Sequence, residues 1–293
     1  MLSRYCWIPV CGVLLGLFSA CSKPPELTKP VEVILDNPVG LPPDPSIVEG
    51  PAEGSRITVP DASFRWSRRN IIADFSYRLN EGAWSPWDTT KSIRFTLDDG
   101  TYTFSVRGRV PPDPPVDEDI GKVPAIRQFT VDAVRGPAIV MRPRYIEMES
   151  GKSTTVDVFA NEVNNLFLAH IVLTYEPSKI KAQVDSAWVE QNGVFAQGGG
   201  KVIFLLDSLK VPLGTILVDT GRAVLTAGTV TGVNTGAVTH ESTMGPLVRL
   251  IVTGIIQGET TITIDPESRL RRTGNKNIDL TPASFVHTRL VIR

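Results

Sequence analysis

Thiol and imidazole chemistry has almost nothing to work with in this chain. There are three cysteines and three histidines in 293 residues, and Cys6, Cys11 and Cys21 all lie in the first twenty-one. Beyond Cys21 no disulfide can form, so stability must come from packing or from bound ions. Charge of one sign is also lacking: 30 Lys and Arg face 31 Asp and Glu, for a formal net charge of −1. That balance gives no ground for nucleic-acid binding or for attraction to an anionic membrane surface. No segment sustains a 3.6-residue apolar period, and the one strongly apolar run, Trp7 to Phe18, is too short to span a bilayer as a helix.

What the chain does have is glycine, proline and β-branched residues. The 24 Gly and 23 Pro, set among runs of Val, Ile and Thr, predict strands and turns. The N-terminus is a separate object, with Arg4 before the apolar run and small Ser19 and Ala20 before Cys21. This LFSAC resembles the lipobox of bacterial lipoproteins, with Phe18 where that family usually has Leu. The resemblance implies a signal peptide over 1–20 and a lipid-modified Cys21 as the first mature residue, an ordinary cleaved signal being the alternative. Ser22 is not the Asp that marks inner-membrane retention in enteric lipoproteins, so the expected location is the bacterial cell envelope, with the outer membrane favoured. Residues 21–54 hold repeated prolines, Pro24 to Pro45, and no apolar periodicity. They are expected to form an extended tether.

Two all-β units follow. Over 55–135, strands are expected near Ser63–Trp66, Phe75–Leu79, Ser92–Leu97, Thr101–Val110 and Ile126–Val134, separated by turns such as Asn80-Glu81-Gly82 and Asp98-Asp99-Gly100. Tyr77, Trp84, Trp87, Leu97, Gly100, Tyr102, Phe104 and Val106 give this stretch a pattern that resembles fibronectin type III and related Ig-like modules. That likeness implies a small β-sandwich in which these residues are core and turn positions, and it carries no chemistry. The acidic run with Asp113, Asp117, Glu118 and Asp119 lacks the regular alternation of a calcium loop and reads as a solvated loop.

Residues 138–293 are expected to form a larger sandwich of roughly nine strands with jelly-roll closure. Within it, Thr154 to Pro177 reads as two alternating strands joined at Asn164-Asn165. Ile171, Leu173 and Tyr175 fall on one face of the second strand, and His170, Val172 and Thr174 on the other. The framework Val156, Val158 and Ala160, then Tyr175-Glu176-Pro177, then Gly245, Leu247 and Leu250, then Gly258, Thr260 and Ile262 resembles a cohesin domain, with Glu176 in place of the usual Asp. The resemblance implies noncovalent docking of a protein partner, a dockerin-like module often attached to a polysaccharide-degrading enzyme. It places His170, Val172 and Thr174 on the docking face, unless Val172 is covered by the Thr/Gly-rich insertion Val230–Glu241. Direct carbohydrate binding and a structural or adhesion role in the envelope are the alternatives.

Catalytic readings fail on spacing. Gly151-Lys152-Ser153-Thr154 lacks the earlier glycine and the following helix of a phosphate loop. His240-Glu241 opens a zinc-protease motif whose second histidine position is Met244. No Gly-x-Ser-x-Gly elbow accompanies any of the three histidines. No catalytic residue, metal or cofactor is expected, and the protein is not expected to be an enzyme.

Overall fold

The computed structural model describes residues 44–67, 74–109, 123–198, 203–206, 209–210, 215–218, 221–239 and 244–293. The signal segment, Cys21, most of the tether, the acidic loop Asp113–Asp119 and His240-Glu241 therefore lie outside the described residues. The chain divides into two units, Met1–Leu41 and Pro42–Arg293, and both sandwiches lie within the second.

The first sandwich contains β1 (Ser46–Glu49), β2 (Ser55–Ile57), β3 (Asp61–Ser67), β4 (Asp74–Leu79), β5 (Ser92–Thr96), β6 (Gly100–Arg109) and β7 (Ala125–Val131). Its two sheets have the orders β1-β3-β5 and β2-β7-β6-β4. It begins earlier than the sequence suggests, because Ser46–Glu49, in the proline-rich stretch, pairs with β3. Alternation builds the core: Phe64 and Trp66 on β3 and Phe104 and Val106 on β6 point inward and are buried, and Phe64 stacks on Phe104 at 4.0 Å between ring centroids.

The second sandwich contains β8 (Ala138–Arg142), β9 (Tyr145–Met148), β10 (Ser153–Asn161), β11 (Leu166–Thr174), β12 (Ile180–Asp185), β13 (Ile203–Leu206), β14 (Leu209–Lys210), β15 (Thr215–Val218), β16 (Arg222–Val233), β17 (Val248–Gly254), β18 (Gly258–Ile264), β19 (Arg269–Arg272), β20 (Lys276–Asn277), β21 (Phe285–Val286) and β22 (Thr288–Ile292). Two short helices, α1 (Ser186–Asn192) and α2 (Val194–Gln197), follow β12. One sheet runs β15-β12-β17-β10-β8-β21. The other runs β14-β13-β16-β11-β18-β22-β9, with β19 and β20 added beside β11. A single core joins the sheets: Val156, Val158, Leu250 and Val252 from the first meet Ile171, Leu173, Leu225 and Ile262 from the second. The protein is thus all-β, a small sandwich followed by a larger one.

The predicted framework residues are structural. Val156, Val158 and Ala160 are the inward side chains of β10, and Leu250 and Val158 sit in the β10–β17 ladder. Gly245 is required by close approach, since a side chain there would run into the backbone of Asn192. The Asn164-Asn165 turn also forms as expected, with Asn165 at φ 55°, a left-handed conformation that Asn tolerates.

Candidate docking face

β11 is the central strand of its sheet region. On one side it pairs with β16, setting His170 opposite Thr226, Val172 opposite Val224 and Thr174 opposite Arg222. On the other side it pairs first with β18 at Leu173 and Thr174, then with β19, which sets Arg269 opposite His170 and Arg271 opposite Leu168. Directly opposed residues share a face. The outer face is therefore built of rows: Arg222 with Thr174, Val224 with Val172, Thr226 with His170 and Arg269, and Leu168 with Arg271.

The expected trio does not behave as a unit. His170 and Thr174 are partly exposed, and His170 Nδ1 lies 2.9 Å from Thr226 Oγ1. Val172 is 0% exposed, which corrects its reading as the apolar centre of an open face. Its backbone is held by the turn between β18 and β19. Val172 N–H donates to Ser268 Oγ at 2.8 Å, Ser268 Oγ donates back to Val172 O at 3.2 Å, and Asp265 N–H donates to the same carbonyl at 2.8 Å. Val224 stands in register with it on the other side.

Sequence reasoning missed the charge of this face. Arg222 and Arg269 are exposed and Arg271 partly so. Burial, and then the Arg269 guanidinium, hold His170 below the usual histidine range, so at neutral pH the ring is uncharged amid arginines. The signal was available as Arg269-Leu270-Arg271-Arg272, a basic run whose one apolar residue, Leu270, turns into the core.

The tryptophans that a sugar would need are occupied. Arg249 is held by Asp157 through two bonds of 2.7 and 2.6 Å and lies 3.3 Å above the Trp188 ring. In the first sandwich, Trp84 and Trp87 are not core residues as expected. They interleave with arginines of β4 and β6 in the order Arg78, Trp84, Arg107, Trp87, Arg109, at 4.2 to 4.8 Å from guanidinium carbon to ring centroid. His287 is likewise engaged, since its Nδ1 accepts from Ile264 N–H at 3.0 Å, and burial lowers its pKa. Among the described residues, no three His, Cys, Asp or Glu side chains gather where they could hold a metal ion.

No family model matches the chain, and no curated protein sequence is similar to it. Among solved structures, it is similar to a non-cellulosomal cohesin from Archaeoglobus fulgidus, at 9% identity and TM-score 0.39, over 54% of this chain and 92% of that one. It is also similar to a type I cohesin–dockerin complex from Clostridium thermocellum, at 12% identity and TM-score 0.37, over 54% of this chain and 100% of that one. Fibronectin(III)-like modules of Clostridium thermocellum CbhA align at 9% identity and TM-score 0.25, over 85% of this chain and 94% of that one. Scores and identities this low leave the sheet order described above as the basis for the fold.

Proposed function

We propose that the chain is a lipid-anchored cell-envelope protein whose second sandwich docks a protein partner, noncovalently, on the outer face of β16, β11 and β19. The observation that carries this reading is the face itself. It is a preformed sheet surface, fixed on both sides of β11, whose partly exposed His170, Thr174 and Thr226 stand over a closed core. Such a surface loses little conformational entropy on binding, which favours recognition over chemistry. Val172 serves as backing beneath the surface, not as an anchor in it. The tryptophan faces taken by arginine weigh against direct carbohydrate binding. The cohesin-like motif of the sequence names the partner class to test first, a dockerin-bearing protein, including polysaccharide-degrading enzymes. Anchoring is assigned to lipidated Cys21 at the outer membrane, with the prolines after it as spacer.

The test is calorimetric titration of the full mature chain with purified dockerin modules encoded in the same genome. At least one is expected to bind, and Thr174→Arg, which adds bulk without reversing the charge of the face, is expected to weaken it by at least about tenfold. Absence of binding to every dockerin would remove the partner class, and binding indifferent to Thr174→Arg would move the face elsewhere.

A further inference from the structure

Arg269 belongs to two features at once. By register it stands beside His170 on the outer face, between Arg271 further along β19 and Arg222 across the sheet. It also lines a cavity of about 500 Å³ whose wall includes Ile278, Leu280, Phe285 and His287. The volume falls in the ordinary range for a binding pocket and exceeds what one side chain needs.

The charges on this ridge are cancelled at one arginine and not at the other two. Arg222 is paired with Glu267 at 2.8 Å. Arg269 donates only to the Glu267 backbone carbonyl at 3.4 Å, and Arg271 to the Asn275 amide oxygen at 2.7 Å. Neither meets a carboxylate among the described residues. Positive charge here is felt by its neighbour: after burial, Arg269 does most to hold His170 uncharged, Glu267 opposes it, and Arg222 and Arg271 add to it. The cavity beside the ridge is mixed in character: Leu280 and Phe285 pack only partly into the core and leave apolar surface at its wall, while Asn277 and the exposed Asp279 line it as well.

We infer that this face takes an acidic protein segment, with its carboxylates on Arg269 and Arg271 and one apolar side chain seated in the adjoining cavity. A guanidinium matches a carboxylate in geometry as well as charge, and an apolar anchor in a pocket beside a charged rim is the usual division of labour in protein interfaces. An acidic glycan would satisfy the arginines but has no apolar side chain to fill a wall of Ile278, Leu280 and Phe285. The inference rests on the docking reading of the same face and specifies the chemistry of what docks.

Fluorescence anisotropy on the full chain, with a labelled peptide of Asp and Glu around a single Phe, tests it. Saturable binding is expected, weakened at least about tenfold between low and about 0.3 M salt. A similar loss is expected with Arg269→Glu, and several-fold weakening when the peptide Phe becomes Ala. Both arginine side chains reach solvent, so Arg269→Gln with an unchanged unfolding midpoint serves as the folding control. Equal affinity for a Lys/Arg peptide of the same pattern, indifference to Arg269→Glu, or displacement of the peptide by heparin at lower concentration than by polyglutamate each overturns the inference. A dockerin that binds the wild type and Arg269→Glu equally defeats the acidic-segment inference and leaves docking intact. Peptide binding with every dockerin silent does the reverse.

Discussion

A carboxylate placed at position 172 would enter a site with no solvent contact. Burying an unpaired charge is among the most costly single substitutions. Val172→Asp is therefore expected to destabilise the second sandwich by at least about 3 kcal/mol, seen as a fall in the urea midpoint, whereas Thr174→Arg, two residues along the same face where the side chain is partly exposed, should stay within about 0.5 kcal/mol of wild type. Equal stability of the two variants would contradict the burial of Val172. The histidines add a pH dependence whose sign is fixed by geometry. Burial depresses both His287 and His170, the latter with help from Arg269, so the unfolded chain takes up protons first as pH falls. Their contribution is fully present above the ordinary histidine range, near about 6.5, and declines below it until the depressed folded values are passed. The unfolding midpoint should fall between about pH 7.5 and 5, and His287→Asn, whose amide oxygen can still accept from Ile264 N–H, should flatten part of that fall. A wild-type midpoint that is level across the window would contradict the depressed values.

At the scale of elements, the arginine–tryptophan ladder fastens the loop after β4 back onto the outer face of β4 and β6. Arg107 is its middle member, in contact with both tryptophans, and is held below the usual arginine range by burial and by Arg78. Two such contacts at roughly 0.5–1 kcal/mol each give an expected loss of about 1–2 kcal/mol for Arg107→Ala, followed by tryptophan fluorescence during thermal unfolding. A loss no larger than that of Arg94→Ala, a surface arginine paired with Asp61 on neighbouring β3, would sink the ladder's role. The strands bearing the ladder were legible in the sequence: the expected Phe75–Leu79 and Thr101–Val110 are observed as Asp74–Leu79 and Gly100–Arg109. Alternation suffices there because one face is buried. The ladder was not legible, since it depends on which residues of β4 and β6 come into register. The same limit hid β19. Arg269–Arg272 has one apolar residue and no strand signal of its own, and it is extended because the edge of β11 beyond β18 needs hydrogen-bond partners. Likewise α1 is only seven residues, begun by Asp185 accepting from Trp188 N–H at 3.0 Å, too short for a helical period to show. Of the candidate site, the strand and its outward set could be read from alternation, but not the burial of Val172, nor the Ser268 turn that holds its backbone, nor the arginines that surround His170.

For the whole molecule, the decisive residues are those that make two cores into one body. Asp99, in the turn before β6, is buried and accepts from Ala133 N–H at 3.2 Å and Val134 N–H at 2.9 Å in the connecting segment, and from Arg144 Nη2 at 3.0 Å in the second sandwich. Its neighbour Asp98 accepts from the Arg144 backbone N–H at 3.1 Å, and burial of this junction lowers the Arg142 pKa. The connecting segment is tied from the far side too, as Gly136 N–H donates to Glu162 and Asn161 donates to Gly136 O. The short boundary at Arg135-Gly136-Pro137 is therefore hydrogen-bonded to both sandwiches. Removing Asp99 leaves the Ala133 and Val134 N–H groups without this acceptor and Arg144 with Asp98 alone, 3.5 Å away, at a cost of about 3 kcal/mol. Asp99→Ala is expected to lower stability by that order and, because the loss falls on the junction instead of on either core, to split a single calorimetric transition into two. A variant that unfolds in one transition at the wild-type temperature would show that the two sandwiches are coupled by something other than this carboxylate.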